Sequence, residues 1–550
     1  MRARHLCLAL LFTLLACVGC NKPADPDAPL AFAPADTPYL FTNLEPLSDE
    51  AFAAWQAQTR VVWPQMRETL QQAMATVAGA EPDGVGTKAL QVIVEEIFSD
   101  EDPNAWMRRA GLSQKARMAF YGVELWPVLR MELADPAAFD AWVTRIEGRL
   151  GVAFDKADIA GLAVRTFGDA NARAVIAIQG QHLVAAITPG DADVAMQRRV
   201  LGIDRPARAF DVATLRQFNE ANGYLPIGSG WLDTRRLASI ALRHAEDYAD
   251  PACKAEVESI AAKVPRFGFG YRTFEARRMA LHARIELEPA LAKSLSALPM
   301  PLPGAADANA LLDVAMTLPA LRTRDFLRAQ ADAVVAAPYA CGGLAWLNQS
   351  ARETKTSLAQ TLPPPVRDFT GVRIVLDQLE WAEGEDALPD ARGRLVLGTG
   401  NPEFITSLAQ VSMPALAGLS IPDDGRPVAI PAAALPPMAA RYDLQVAMSG
   451  NALGIAAGKD QADRLTAAVT TSGAADGTLF TWSMRGALYA SLAEALGRFG
   501  AKMPQELRDQ FDAQRRMYVF YAKWIERVDV RGWLSADGFE IEEDIRLGTP

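Results

Sequence analysis

The sequence predicts an α+β fold built as two related halves, each an antiparallel sheet packed by helices. Three observations predict it. Short alternating apolar runs, read as strands, take turns with stretches of helical spacing, and a strand face of that kind needs a helix against it. An Asp-Pro or Asn-Pro pair opens a helix directly after a strand at two places, Asp135-Pro136 and Asn401-Pro402. The order of strands, turns and helices around those two places recurs about 270 residues apart, which implies internal duplication. At 550 residues the chain is also too long for one core.

In the first half, Tyr39 to Leu44 reads as a strand. Ser48 caps a helix with Asp49 and Glu50 in its first turn, continued by Phe52, Trp55, Val62, Met66, Leu70 and Met74. A loop over Gly79 to Gly86 precedes a helix from Ala89 to Phe98. Val123 to Ala134 reads as one strand, and Asp135-Pro136 then starts a helix that runs to Leu150. Gly161 to Phe167 is a strand. Ala172 to Gln179 and His182 to Ile187 form a hairpin on Gly180-Gln181, and Asp191 opens a helix ending near Gly202. The unit is therefore β-α-β-β-β-α.

The second half repeats this order. Leu395 to Leu397 precedes Asn401-Pro402-Glu403-Phe404 and a helix. Pro427 to Ile430, Tyr442 to Met448 and Ala452 to Ala456 read as strands, with a turn at Gly450-Asn451 and a helix from Asp460. Leu311 to Leu318 with Pro319 mirrors Tyr39 to Leu44 with Pro46. Met279 to Leu287 mirrors Phe539 to Leu547, and Gly223 to Leu237 mirrors Gly477 to Leu488. The expected division is 32–290 for the first half, a proline-rich linker over 291–308, and 309–550 for the second.

The N-terminus carries an address. Arg2, Arg4 and His5 precede an apolar core from Leu6 to Leu15, far shorter than the roughly 20 residues of a membrane span. The core ends in Ala-Cys-Val-Gly-Cys, residues 16–20. This stretch resembles the lipobox of bacterial lipoproteins. The resemblance implies a leader over 1–19, acylation of Cys20 (alternatively Cys17) and a polar, proline-rich tether over 20–31. Asn21 after the cysteine favours the outer membrane by the same resemblance. The β-Asp-Pro-helix-β-β-β pattern and Pro34-Ala-Asp-Thr-Pro38 also resemble uncharacterised bacterial extracytoplasmic proteins built from repeated α+β units; that resemblance implies no activity and no site residues.

Composition narrows the function. Half of the residues are apolar and 22% are charged, as in globular chains. The net charge is −11, and about −13 once Arg2 and Arg4 leave with the leader. An acidic surface argues against nucleic-acid partners and against adhesion to anionic lipid. The apolar stretch Ile405 to Ile421 contains Thr, Ser, Gln and Pro and reads as buried helix and loop. Outside the leader and lipobox only Cys253 and Cys341 remain. In an oxidising compartment they can bridge, the alternative being a reactive thiol or a metal site, and sequence leaves the bridge open. No histidine and cysteine spacing suggests a metal site, and no cofactor motif is present.

Catalytic patterns fail in turn. Gly228-Ser229-Gly230 lacks the nucleophile elbow, and Gly450-Asn451-Ala452-Leu453-Gly454 lacks the phosphate-loop spacing. His182 and His282 sit in alternating strands, as structural histidines do. The acidic group Asp377, Glu380, Glu383, Glu385 and Asp386 reads as a solvated loop. Trp126, Trp231, Trp482 and Trp533 on strands read first as core and second as the lining of a lipid, glycan or peptide groove. Glu540, Glu542 and Asp544 alternate on the last strand and suggest one wet face. The expectation is a membrane-anchored, periplasm-facing lipoprotein acting as a non-catalytic binding or scaffolding module for an envelope lipid, glycan or protein. The alternatives are a periplasmic hydrolase with a carboxylate pair and a subunit of an envelope complex.

Overall fold

The computed structural model describes residues 25–80, 85–100, 102–151, 154–244, 250–381 and 389–548. The chain forms two compact units. One is Met1–Leu47 with Met107–Ile227; the other is Ser48–Trp106 with Gly228–Pro550. The architecture is α+β, a large antiparallel sheet with interspersed helices.

The smaller unit contains β1 (Tyr39–Asn43), β2 (Met118–Val123), β3 (Trp126–Glu132), β4 (Asp155–Ile159), β5 (Leu162–Gly168), β6 (Ala172–Gln179) and β7 (His182–Pro189). Their pairings run β1-β2-β3-β7-β6-β5-β4, all antiparallel. The single strand expected over 123–134 is instead a hairpin, because Glu124 adopts a left-handed φ of 56° and reverses the chain before Trp126. The hairpin β4–β5, which turns on Ala160 and Gly161 with φ of 56° and 83°, adds a strand that the expected β-α-β-β-β-α unit lacks. The helix Pro136–Leu150 starts as expected: the Ala137 and Ala138 N–H groups donate to Asp135 Oδ1 at 3.0 and 3.1 Å.

The larger unit contains β8 (Ser229–Asp233), β9 (Arg266–Glu275), β10 (Arg278–Glu286), β11 (Leu312–Thr317), β12 (Phe369–Trp381), β13 (Pro389–Thr399), β14 (Val428–Ala429), β15 (Leu444–Ser449), β16 (Ala452–Ala457), β17 (Thr478–Arg485), β18 (Ile525–Leu534) and β19 (Gly538–Leu547). Their order is β8-β9-β10-β19-β18-β17-β11-β12-β13-β16-β15-β14, again antiparallel throughout. Among its described residues helices pack in pairs: Asp49–Ala80 with Val85–Ile97, Thr234–His244 with Pro251–Lys263, Ala320–Ala336 with Ala345–Ser357, and Ala487–Ala501 with Gln505–Trp524. In the first pair Trp63 packs on Phe98, ring centroids 4.4 Å apart, with Met74 and Val94 around them.

The smaller sheet has one buried face, whereas the larger is covered on both faces at β15 and β16, where Val446, Met448 and Leu453 are buried beneath Ile405, Leu419, Ile421 and Ile430. In the smaller unit the cross-strand row Leu40, Tyr121, Val128, Ala186, Val175 is buried along its length. In the larger unit Val396, Ala447, Ala452 and Ala456 pack against Leu465, Ala468 and Val469 of the helix Ala462–Thr470. The helix Pro402–Ser412 corrects the reading of 405–421 as buried: Leu408 and Val411 point to solvent. Residues 25–31, at the end of the expected tether, lie against the smaller unit. Arg117 pairs with Asp25 at 2.9 Å, Arg205 bonds Pro26 O and Asp27, and Leu30 is buried.

Candidate functional site

The face of the larger sheet that carries Ile374 and Met316 is the first candidate; it is covered at Leu453 and partly open from Ile455 to Leu281. Antiparallel register places directly opposed residues about 4.5–5.5 Å apart. One such row crosses nine strands: Ile455, Leu395, Ile374, Val314, Trp482, Val530, Glu543, Leu281 and Tyr271. A second row beside it reads Leu453, Leu397, Val372, Met316, Phe480, Gly532, Ile541, Ala283 and Phe269. Glu543 carries the one ionisable carboxylate of the two rows. Side chains of this size on a paired sheet are normally covered, yet Ile374 is 47% exposed, Met316 43%, Ile455 39% and Leu281 37%. The smaller unit has the same asymmetry. Its row Phe41, Phe120, Leu129, Ala185, Ile176 is partly open, with Phe120 exposed.

The other face, apolar and buried at Val396, becomes charged at β9, β10 and β19, and its charges there divide by strand. Arginines stand on β9 and β10, Arg272, Arg278 and Arg284, with His282 among them. Anions stand on β19 and the turn before it: Asp537, Glu540, Glu542 and Asp544. Arg278 meets Asp544 at 2.6 Å, Arg284 meets Glu540 at 3.1 Å, and Arg272 pairs with Glu542. Burial alone raises a carboxyl, but hydrogen bonds from His282, Ser535 and Arg284 outweigh it and hold Glu540 down at about 2. The wet face expected from Glu540, Glu542 and Asp544 is therefore corrected: it is an ion-pair ladder whose first member is buried. A cavity of about 390 Å³ adjoins the ladder, lined by Asp313, Arg527, Asp529, Arg531, Glu542 and Asp544. Asp529 and Asp544 face each other in register, but each is claimed by an arginine, Arg527 at 2.7 Å and Arg278. Asp307, also on this cavity, is raised by burial and lowered further by Arg394, with a net downward shift. A carboxylate held down by arginine is a poor general acid.

The remaining residues singled out in the sequence scatter. Cys253 and Cys341 are buried and disulfide-bonded, Cα atoms 4.6 Å apart, among Val257, Ile260, Leu344 and Leu347. His182 lies in the smaller unit beside buried Arg130, edge-on to Phe32. Ser229 is fully buried on β8. Gly450 and Asn451 form the β15–β16 turn. Trp231 is buried, Trp533 lies near His282 at 5.7 Å between rings, and Trp126 and Trp482 are half-buried. Asp377 is not a free loop acid but bonds Arg394 and Arg464, both at 2.8 Å. Glu383, Glu385 and Asp386, with Cys17 and Cys20, lie outside the described residues. Among the described residues no group of histidine, cysteine or acidic side chains is arranged to hold a metal, and no helix is long and apolar enough to cross a membrane. The apolar rows escaped sequence reading because runs such as Leu395-Val396-Leu397 are apolar at every position. No protein-family model matches the chain, and neither curated proteins nor solved structures include a match.

Proposed function

We propose that the protein is a lipid-anchored, periplasm-facing envelope lipoprotein whose body is a non-catalytic binding module for an acyl-chain lipid. The anchor is the Cys20 of the lipobox-like stretch, with Cys17 as the alternative, and the outer membrane is the membrane it joins. The observation that carries the binding role is the pair of apolar cross-strand rows with Ile374, Met316, Ile455 and Leu281 partly open. Large contiguous apolar patches on soluble bodies mark interaction sites. A sheet several strands wide offers an acyl chain a long floor, and burial of each methylene on it contributes about 0.8 kcal/mol. Glu543, among those apolar neighbours, gives the floor one polar point at which a headgroup can be oriented.

The two halves are, in this reading, copies of one ancestral unit. The order β6-β7-β3-β2-β1 of the smaller unit matches β15-β16-β13-β12-β11 of the larger. Pro34 bridges Ala209 as Pro303 bridges Ser472, and Asp135 and Asn401 cap corresponding helices. The half-open apolar face recurs with the copies, which favours a role for the face itself over an accident of one strand.

The test is lipid extraction and mass spectrometry of the purified mature body, paired with titration of a fluorescent fatty acid. A co-purified lipid near one per chain, or saturable probe binding, supports the reading. No lipid and no saturable binding sinks it. Mass spectrometry of the mature N-terminus from membranes tests the anchor separately: a diacylated or triacylated Cys20 or Cys17 is expected, and an unmodified N-terminus removes it.

A further inference from the structure

We propose that the cavity at the end of β1 in the smaller unit is a second binding site, for a small zwitterion of the α-amino-acid type. The cavity measures about 370 Å³ and is walled by Thr42, Glu45, Arg117 and Arg216, with Asp25 at its rim. That volume sits at the lower end of small-molecule sites, room for a ligand of roughly ten non-hydrogen atoms.

Thr42 makes this a built site. Its side chain is 0% exposed, and its hydroxyl has no hydrogen-bond partner. A buried hydroxyl left so costs about 1–3 kcal/mol. Thr317 is the last buried position of β11, as Thr42 is of β1, and it is fully engaged. Its hydroxyl accepts from Met300 N–H at 3.1 Å and donates to the Thr370 carbonyl at 3.1 Å. In the smaller unit no group among the described residues bonds the Thr42 hydroxyl, and Thr42 lies on the wall of the cavity.

The charges on the wall give the ligand its class. Arg117 is already held by Glu132 and by Asp25, so it shapes the wall and is not on offer. Arg216, one turn into the helix Val212–Asn222, and Glu45, just before Pro46, form no ion pair or hydrogen bond among the described residues. One free cation and one free anion face the same small space. A carboxylate suits Arg216 and an ammonium suits Glu45, while the Thr42 hydroxyl serves whichever group reaches it. Phosphate would meet Glu45 as a like charge, and a neutral sugar would leave both charges uncompensated.

Isothermal titration calorimetry of the mature chain with the proteinogenic amino acids, in pools at about 1 mM, tests this, since that concentration detects dissociation constants up to the millimolar range. Inorganic phosphate and glucose serve as counter-probes. At least one amino acid is expected to bind saturably. Arg216→Gln and Glu45→Gln should each weaken that binding by about 10-fold or more. Both side chains are exposed, so neither substitution should move the melting temperature of the free protein. Thr42→Val should weaken binding about 5-fold while leaving the free protein as stable or more so, a combination that a purely structural threonine cannot give. Heat from no amino acid, binding of phosphate or glucose in their place, or affinity unchanged in both charge variants would overturn the proposal.

Discussion

His282 Nε2 lies 3.0 Å from Glu540 Oε2, and the two side chains, 258 residues apart in sequence, are both buried. They join β10 to β19, the third and fourth strands from the β8 edge of the larger sheet, with Arg284 on the same carboxylate. The Glu540 carboxyl is thereby held at about 2, below its unfolded value of roughly 4.3. A carboxyl depressed in the folded state adds stability that is complete above the unfolded value and is lost as pH falls through the folded one. The first prediction follows: acid unfolding should draw on Glu540 between about pH 4.3 and 2, with a contribution on the order of 3 kcal/mol. Glu540→Gln should lower the urea midpoint at pH 7 and flatten the pH dependence below 5. Equal acid sensitivity in both proteins would count against the pairing.

The second prediction concerns the disulfide. Cys253 and Cys341 enclose a loop of 88 residues, so cross-linking them restricts the unfolded chain by on the order of 4–5 kcal/mol in the loop-entropy account. The bond sits on the helix Pro251–Lys263 and just before Ala345–Ser357, and Glu256 accepts from the Ala340 and Cys341 N–H groups at 2.7 and 2.9 Å. Reduction, or the pair Cys253→Ser with Cys341→Ser, should lower the melting temperature by several degrees. A melting curve indifferent to reductant would show that the bridge adds little.

Much of this architecture was legible locally. Asp135-Pro136 and Asn401-Pro402 announce helix starts because a short polar side chain and a fixed proline φ suit a first turn whatever lies around them. Gly180 and Gly450 mark hairpins for the same local reason. What failed was non-local. Glu540, Glu542 and Asp544 alternate visibly, but alternation cannot say that arginines from β9 and β10 wait opposite. The turn at Glu124 was hidden because the residue lacks the usual turn chemistry. The partly open apolar rows were hidden because strands apolar on both faces read as doubly buried. Thr42 and Arg216 come together only through the fold and leave no sequence signal.

A third prediction rests on the buried pair Arg373–Asp313. The guanidinium meets Asp313 at 2.9 Å and donates to the Pro303 carbonyl at 2.8 Å, while Asp313 accepts from Asp307 N–H at 2.7 Å. Asp313→Asn leaves a buried cation without its counter-charge and should cost about 3–5 kcal/mol in urea unfolding. Asp313→Leu combined with Arg373→Met removes both charges together and should recover most of that loss. A double variant as unstable as the single one would mean that the bonds to Pro303 and Asp307 matter more than charge balance.

A fourth prediction separates binding from folding on the apolar face. Ile374 and Ile455 both oppose Leu395, on β12 and β16, and both are partly open, so each gives up only part of its area to the fold. Ile374→Asn and Ile455→Asn should each destabilise the body by about 1 kcal/mol or less, because substitutions at exposed positions usually stay near that bound. Each removes apolar floor on which an acyl chain would lie. At about 25 cal/mol per Å² of apolar area, losing some 50–80 Å² of contact should weaken fatty-acid binding by about 10-fold. Val396→Asn, on the buried side of the same sheet, is the opposite control, since it should unfold the domain. Unchanged probe affinity in Ile374→Asn and Ile455→Asn would move the ligand off this face, and loss of fold in either would mean that the rows belong to the core.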